Sequence, residues 1–485
     1  MEIKDLHPQG IWKNFHLLTQ VPRPSGHLEK VQQFLLQWAK ERNIEAFMDN
    51  AGNIIMRKPA TAGYENLKMV TFEGHMDMVP QKEAGSLHNF ETDPIVTYID
   101  GKWVKAKGTT LGSDDGMGVA TAMAVLEDNT LEHGPIEAIF TVDEETCMYG
   151  VNHLEKGTLK GDILLNLDNE TEGEFIIGCA GGMDVAGNLS YQETDVEADD
   201  IAMKVTIKGL KGGHSGLEIS LGRANANKLL ARFIYDAIQK LDIDLASWEG
   251  GNMRNAIPNQ AIAVITFNAE DKETLLEMAS EWENIFRNEF HGIEDNLQVT
   301  IEDTATPQKV VPTEIRDNLV NAITACPSGV LRQIPAIPEI TETSCNLGIV
   351  KIADGNVATD VLVRSSCETM LDYLASMVTA AFSMAGMQTS NGGRYPAWQP
   401  NNEAPIVNIV KQVYQKVNGE DCVVQVVHAG LECGIIQTIY PHMDAISFGP
   451  TLRSPHTPFE RCHIPSVDKY YKFVLELLKN IPVKE

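Results

Sequence analysis

Nowhere in these 485 residues do about 18 consecutive apolar residues occur, so no membrane-spanning helix is expected. The opening MEIKDLHPQGIWKNFHLL mixes charges with apolar residues at helical spacing and lacks the unbroken apolar stretch of a secretory signal. Cysteine is sparse: eight thiols, at 147, 179, 326, 345, 367, 422, 433 and 462, with no CxxC pair. That scatter argues against a disulfide framework and suits a reducing compartment, so a cytoplasmic protein is expected. Basic residues are in deficit, 39 against 67 acidic, for a net charge of −28. Nucleic acid and anionic membranes need clustered Lys and Arg, and neither is expected as a partner. Hydrophobic residues at 43% and charged residues at 22% suffice for large buried cores. At roughly 150 residues per domain the length predicts two to four domains.

Strand-like and helix-like segments alternate in the first part: the helix HLEKVQQFLLQWAKERN, the strand MVTFEG, the helix GVATAMAVLED, then the strands IEAIFTV and DILLNL. That alternation predicts an α/β layer with a mostly parallel sheet. From about residue 187 the pattern changes. AMKVTIKGL and AIAVITFNA alternate as half-exposed strands, and ANANKLLARFIYDAIQKL and KETLLEMASEWENIFRNEF are amphipathic helices. A similar set recurs in NLVNAITA, NLGIVKIA, NVATDVLVRSS and MLDYLASMVTAAFSMAG, as if the region had two related halves. NGGRYPAWQPNNEAP reads as a linker, after which the first pattern resumes. The expectation is an α/β catalytic domain made of residues 1–186 and 393–485, interrupted by an inserted α+β domain at 187–392.

The strands of the α/β part end in ligand-type side chains. MVTFEG runs into His75 and Asp77, IEAIFTV into Asp143, Glu144 and Glu145, DILLNL into Asp168, and AISFGP leads to His456. Asp114 and Asp115 stand in the Gly-rich turn GTTLGSDDGMG before a helix. Ligands of open α/β sheets sit outside the carboxyl ends of the strands, so these groups should converge there. Singly, each acid also reads as a solvated turn or a helix cap, Asp114 above all, and a lone His as a structural hydrogen-bonding residue. Coincidence across four strands favours a metal site. Imidazole and carboxylate donors fit zinc. With five ligands, one carboxylate can bridge two ions about 3.5–4 Å apart while each ion keeps one His and one further acid.

HMDMVP, GSDDGMG, DEET, LDNE and GPTLRSPHTPFE resemble the M20 metallopeptidase family. RKPATAG, VKAKGTTLG, GCAGG, LKGGHSG, RNAIP and HAGLECG extend the resemblance over nearly the whole chain, closest to the aminoacyl-histidine dipeptidase branch. The resemblance implies a zinc-peptidase-like catalytic domain with an inserted lid, dipeptide substrates including Xaa-His, a homodimer through the lid, and two Zn²⁺ per subunit, for which Co²⁺ or Mn²⁺ can substitute. It makes His75, Asp114, Glu145, Asp168 and His456 the metal ligands. Asp114 would bridge, His75 and Asp168 would hold one ion, and Glu145 and His456 the other. Some relatives carry Glu where this chain has Asp168, a difference that often separates substrate classes. Glu144 becomes the general base acting on a metal-activated water, and Asp77 the residue that orients His75. Asp143 and Asp115 are left as surface or capping groups.

In the inserted domain His214, in LKGGHSG, would stabilise an oxyanion, from its own subunit or a partner's. Asn255 and Arg364 would bind a substrate carboxylate, although Arg364 also reads as half of a structural ion pair. HAGLECG would line the pocket through Gly430, and Glu432 would bind a substrate amine or support a ligand. Three rivals stand beside this reading. One is a thiol hydrolase using Cys147 or Cys433 with His428. Another is a non-catalytic metal-binding protein. The third is a different M20 activity, on tripeptides or N-acyl amino acids.

Overall fold

The apolar runs that end in ligand-type residues are strands of one sheet. In the computed structural model, which describes residues 2–335 and 337–484, the chain forms two compact units. The first comprises residues 1–178, 398–426 and 431–485. Its main sheet contains β1 (Glu45–Met48), β2 (Ile54–Lys58), β3 (Val70–His75), β4 (Ile136–Thr141), β5 (Ile163–Asn166), β6 (Glu174–Cys179), β7 (Val423–Val427) and β8 (Asp444–Ser447). They lie in the order β1-β2-β4-β3-β5-β8-β6-β7. The centre, β4-β3-β5-β8, is parallel. The margins are antiparallel, β1 on β2, β2 on β4 and β8 on β6. The central strands are buried on both faces, which is why they read as continuous apolar runs.

Helix α1 (Ser113–Glu127) is buried from Ser113 to Leu126 and packs against β3 and the helix Gln9–Thr19. Its sequence GMGVATAMAVLE is apolar or small on every side, as burial all round requires. Among the described residues no helix is long and apolar enough to cross a membrane.

The second unit comprises residues 179–397 and 427–430. The expected domain edges at 186 and 392 fall inside the strands Gly181–Ser190 and Gln388–Tyr395, which pair with each other, so the division lies a few residues outside both. The sheet runs Gln298–Asp303, Asp200–Lys208, Ala261–Asn268, Asp244–Gly250, Ile337–Ala353, Asn356–Ser365, Gly181–Ser190, Gln388–Tyr395. Outward from the seam where Asp244–Gly250 pairs with Ile337–Ala353, each side has the same four-strand order with two helices. The two halves suggested by the sequence therefore share a topology. In chain order the first half is inserted between Gly181–Ser190 and the rest of the second. Four helices, Ala226–Leu241, Lys272–Glu289, Thr313–Ala325 and Glu368–Met384, pack on this sheet over one apolar core.

Candidate metal centre and anion-binding cluster

Parallel β3, β4 and β5 finish along one edge, and that edge gathers the ligand-type residues. His75 is the last residue of β3 and is 1% exposed. After β4 the chain turns at Asp143 (φ 53°) into the short α2 (Glu144–Cys147), whose first turn carries Glu144 and Glu145. Asp168 follows β5 by two residues. Asp114 lies in the first turn of α1, where it and Asp115 keep non-helical angles. His456 reaches in from a later loop with φ 58° and stays half exposed.

Three overlapping triads result: His75, Asp114 and Asp168; His75, Glu144 and Glu145; Asp114, Glu145 and His456. Within each, one donor atom per residue lies within 4.8 Å of the others. His75 Nε2 is 3.2 Å from Asp114 Oδ1 and 3.9 Å from Asp168 Oδ1. His456 Nε2 is 3.0 Å from both Asp114 Oδ2 and Glu145 Oε1. A ring nitrogen carries at most one hydrogen, so a single bond cannot satisfy both carboxylates. The two oxygens of Asp114 face different histidines, the disposition a bridging carboxylate needs.

The acids also perturb one another. Burial first, and then the charges of Glu145 and Asp114, push Glu144 up to about 8. Burial and the neighbouring Asp114 lift Asp168 well above the carboxylate range. Burial also works against ionised Asp114, but hydrogen bonds from His456 and His75 outweigh it and hold its carboxyl low. His456 is raised to about 11 by its bonds to Asp114 and Glu145. Carboxylates crowded around two imidazoles, with one nitrogen shared by two acceptors, fit the donor set of a divalent cation, whose charge would offset their repulsion.

Asp77 is fully buried and serves two elements. Its backbone carbonyl lies 3.2 Å and its Oδ1 3.5 Å from His75 Nδ1. Oδ1 also accepts the Glu144 N–H at 3.1 Å, and Oδ2 the Glu145 N–H at 3.4 Å and the Ser25 hydroxyl at 2.7 Å. Nothing in the sequence reading pointed to Ser25. The signal was PRPSG, a turn-forming segment that runs beside the end of β3, with Ser25 N donating to Met78 O. Asp143 accepts the Gly26 N–H at 2.6 Å, so it caps the same turn. Asp115, expected at the surface or as a cap, is buried; it does cap, taking the Gly118 N–H at 3.0 Å, and its other oxygen packs against Gly74.

Glu432 lies in the interior of the first unit, 2% exposed, at the start of α3 (Glu432–Ile439). Its Oε2 accepts the Thr141 hydroxyl at 2.7 Å, and burial together with the nearby Glu73, whose Oε2 accepts from Asn166 Nδ2, raises its carboxyl well above the usual range. Glu73 lies two residues before His75 on the same face of β3, and Asn166 ends β5 two residues before Asp168. Glu432 therefore occupies the layer beneath the ligand-type residues.

On the second unit, His214, Arg364 and His428 surround Gly216. A Cβ there would fall 3.1 Å from both Arg364 Nε and His214 Cε1 and would collide with the His428 carbonyl. His214 Nδ1 accepts the N–H groups of Gly216 (3.1 Å) and Leu217 (3.0 Å), so its hydrogen sits on Nε2 and is free to donate. Arg364 is buried and gives one Nη to the Tyr395 hydroxyl at 2.6 Å, while its Nε has no partner. Asn255 is exposed, and its carbonyl accepts Ser215 N–H at 2.9 Å. Gly430 belongs to the 427–430 segment that this unit includes. His428 Nε2 is bonded to Ser344 Oγ at 2.6 Å, and burial followed by the Arg364 charge lowers its ring to about 3. A ring so placed is a poor general base, which weakens the thiol-hydrolase reading.

The family description Peptidase family M20/M25/M40 matches residues 71–480. The chain belongs to this family. Over 483 residues this M20 peptidase is 43% identical to the cytosol non-specific dipeptidase of Escherichia coli strain K12, covering all of both chains. It is also similar to the crystal structure of aminoacylhistidine dipeptidase from Vibrio alginolyticus, with a TM-score of 0.92, 40% identity, and coverage of 100% of this chain and 99% of that one. A tripeptidase from Staphylococcus aureus shares the fold at a TM-score of 0.57 and 15% identity.

Proposed function

We propose that this M20 peptidase hydrolyses the peptide bond of dipeptides, Xaa-His among them, in the cytoplasm, using two divalent cations, zinc by the chemistry of the donors. The observation that carries the reading is the convergence of His75, Asp114, Glu145, Asp168 and His456 in two of the triads, which share Asp114. His75 and Asp168 would hold one ion, Glu145 and His456 the other, and Asp114 would bridge. Bound there, the ions would supply Lewis-acid polarisation of the scissile carbonyl and acidify water.

The remaining work falls to the chain. Glu144 takes the proton of the attacking water on its carboxylate and returns it to the departing amine. Without bound ions, burial and the neighbouring acids raise its carboxyl to about 8, and the charge of two cations would draw it back toward the ionised form a base needs. Asp77 keeps Glu144 and Glu145 in place through their backbone N–H groups. On the second unit, His214 Nε2–H, from the same subunit or a partner's, would serve as oxyanion donor, and Arg364 would be partner of the substrate carboxylate. Whole-length identity to a dipeptidase supports the substrate class. The deciding experiment offers Ala-His, β-Ala-His, a tripeptide and an acetylated amino acid to the zinc-loaded chain. Dipeptides should be cleaved fastest; preference for the acetylated compound or the tripeptide would overturn the reading.

A further inference from the structure

Asp114 sits at a helix start that does not hold it. The angles at Asp114 (φ −87°, ψ 112°) and Asp115 (φ −101°, ψ 35°) lie outside the helix, and the preceding Gly112 gives no side-chain cap. The free N–H groups of this turn are taken by a residue nearly 350 positions away. Glu460 Oε2 accepts the N–H groups of Leu111 (2.7 Å) and Gly112 (3.0 Å). Its Oε1 accepts Ser113 N–H (2.7 Å), the Ser113 hydroxyl (2.6 Å) and Asp114 N–H (3.3 Å). Glu460 is itself buried. A buried carboxylate is tolerated only when its lone pairs are met, and here five donors meet them.

Glu460 belongs to the loop that carries His456, and short bonds stiffen that loop. Thr457 Oγ1 donates to Ser454 O (2.8 Å), and Glu460 N–H to Thr457 O (3.1 Å). On the other side of the turn, Arg23 donates through Nη1 to Met76 O (3.1 Å) and Asp77 O (3.0 Å), and through Nη2 to Gly112 O. The 111–114 turn is thus gripped through its N–H groups by Glu460 and through a carbonyl by Arg23. Gly112 must be glycine at φ 70°, since a Cβ would come within 2.7 Å of Arg23 Nη2 and 2.8 Å of Met78 Sδ.

Building on the assignment of the five ligands, we propose that Glu460 is a positioning residue for the metal centre: it clamps the Asp114 turn to the His456 loop, so that the two ligands shared by one ion are set together. Both Glu460 oxygens are taken up by the turn, so its role runs through Asp114. It converts a contact between two distant loops into a fixed separation of Asp114 and His456, and that ion should feel its loss more than the ion held by His75 and Asp168.

The test titrates the metal-stripped full chain with Co²⁺ alone, following the cobalt absorption and the heat of binding. Wild type should show two steps. In Glu460→Gln an amide NH₂ must face N–H donors, and one step should weaken about tenfold or more while the other stays within a fewfold. Ser113→Ala keeps the carboxylate and its four backbone donors and should weaken the same step to a smaller degree, which covers the case in which Glu460→Gln fails to fold. Both steps unchanged in a folded variant, or both weakened alike, overturns the proposal. A wild-type chain that binds no Co²⁺ overturns the ligand assignment itself, and this proposal with it.

Discussion

One oxygen of Asp77 accepts the backbone N–H of Glu144 at 3.1 Å, so the residue behind His75 also holds the proposed base. The carboxylate stands at the N-terminus of α2, where backbone dipoles favour negative charge. Asp77→Asn turns one of these acceptors into a donor facing Ser25 or a peptide N–H. Activity or metal affinity should fall about ten- to a hundredfold. Steady-state kinetics alongside metal content would measure it, and wild-type values in both would remove Asp77 from the site.

Glu144→Gln separates chemistry from binding. The amide cannot carry the proton, so turnover should drop by about a hundred- to ten-thousandfold. Bound metal, measured by atomic absorption after dialysis, should match wild type. Retained turnover would refute the base assignment, and a chain that lost both activity and metal would point to Glu144 as a ligand instead.

His428 predicts a pH effect in the second unit. Its ring is lowered to about 3 when folded, chiefly by burial, against about 6.5 when unfolded. A depressed folded pKa contributes stability above about 6.5 and loses it as pH falls toward 3, because only the unfolded chain readily takes the proton. Each pH unit inside that window is worth about 1.4 kcal/mol. His428→Gln should therefore narrow its stability gap to wild type, or overtake it, as denaturant midpoints are followed from pH 7 to pH 4. Parallel curves would mean the ring is not neutral in the folded chain.

Gly74 leaves room for Asp115 beneath β3. A methyl group there would strike the Asp115 carboxylate, and both strand and helix are buried. Gly74→Ala should destabilise the chain by about 1–3 kcal/mol in chemical denaturation, and because His75 is the next residue it should weaken metal uptake too. An unchanged denaturation midpoint would contradict the packing.

Much of the proposed centre was legible because each ligand-type residue sits where a local signal ends. Burial on both faces makes a central parallel strand a continuous apolar run, so the positions of His75, Glu144, Glu145 and Asp168 could be read as strand ends. The antiparallel margins could not, since pairing direction depends on which distant segments meet. Glu432 could be read as binding a substrate amine or supporting a ligand, and only the fold shows its carboxylate buried beside Thr141 and Glu73. Arg23, Ser25 and Glu460 gave no periodic signal at all, because each acts on backbone groups of segments far away in the chain.

By itself the amino-acid order determined the kinds of donor available, the elements that carry them and the family to which the chain belongs, since these follow from side-chain chemistry and from periodicities a few residues long. Only the folded chain decided that Asp114 presents one oxygen to each histidine, and that Glu460 grips the turn that aims it. Such distances depend on loops hundreds of residues apart closing on one another, and no local pattern encodes that closure.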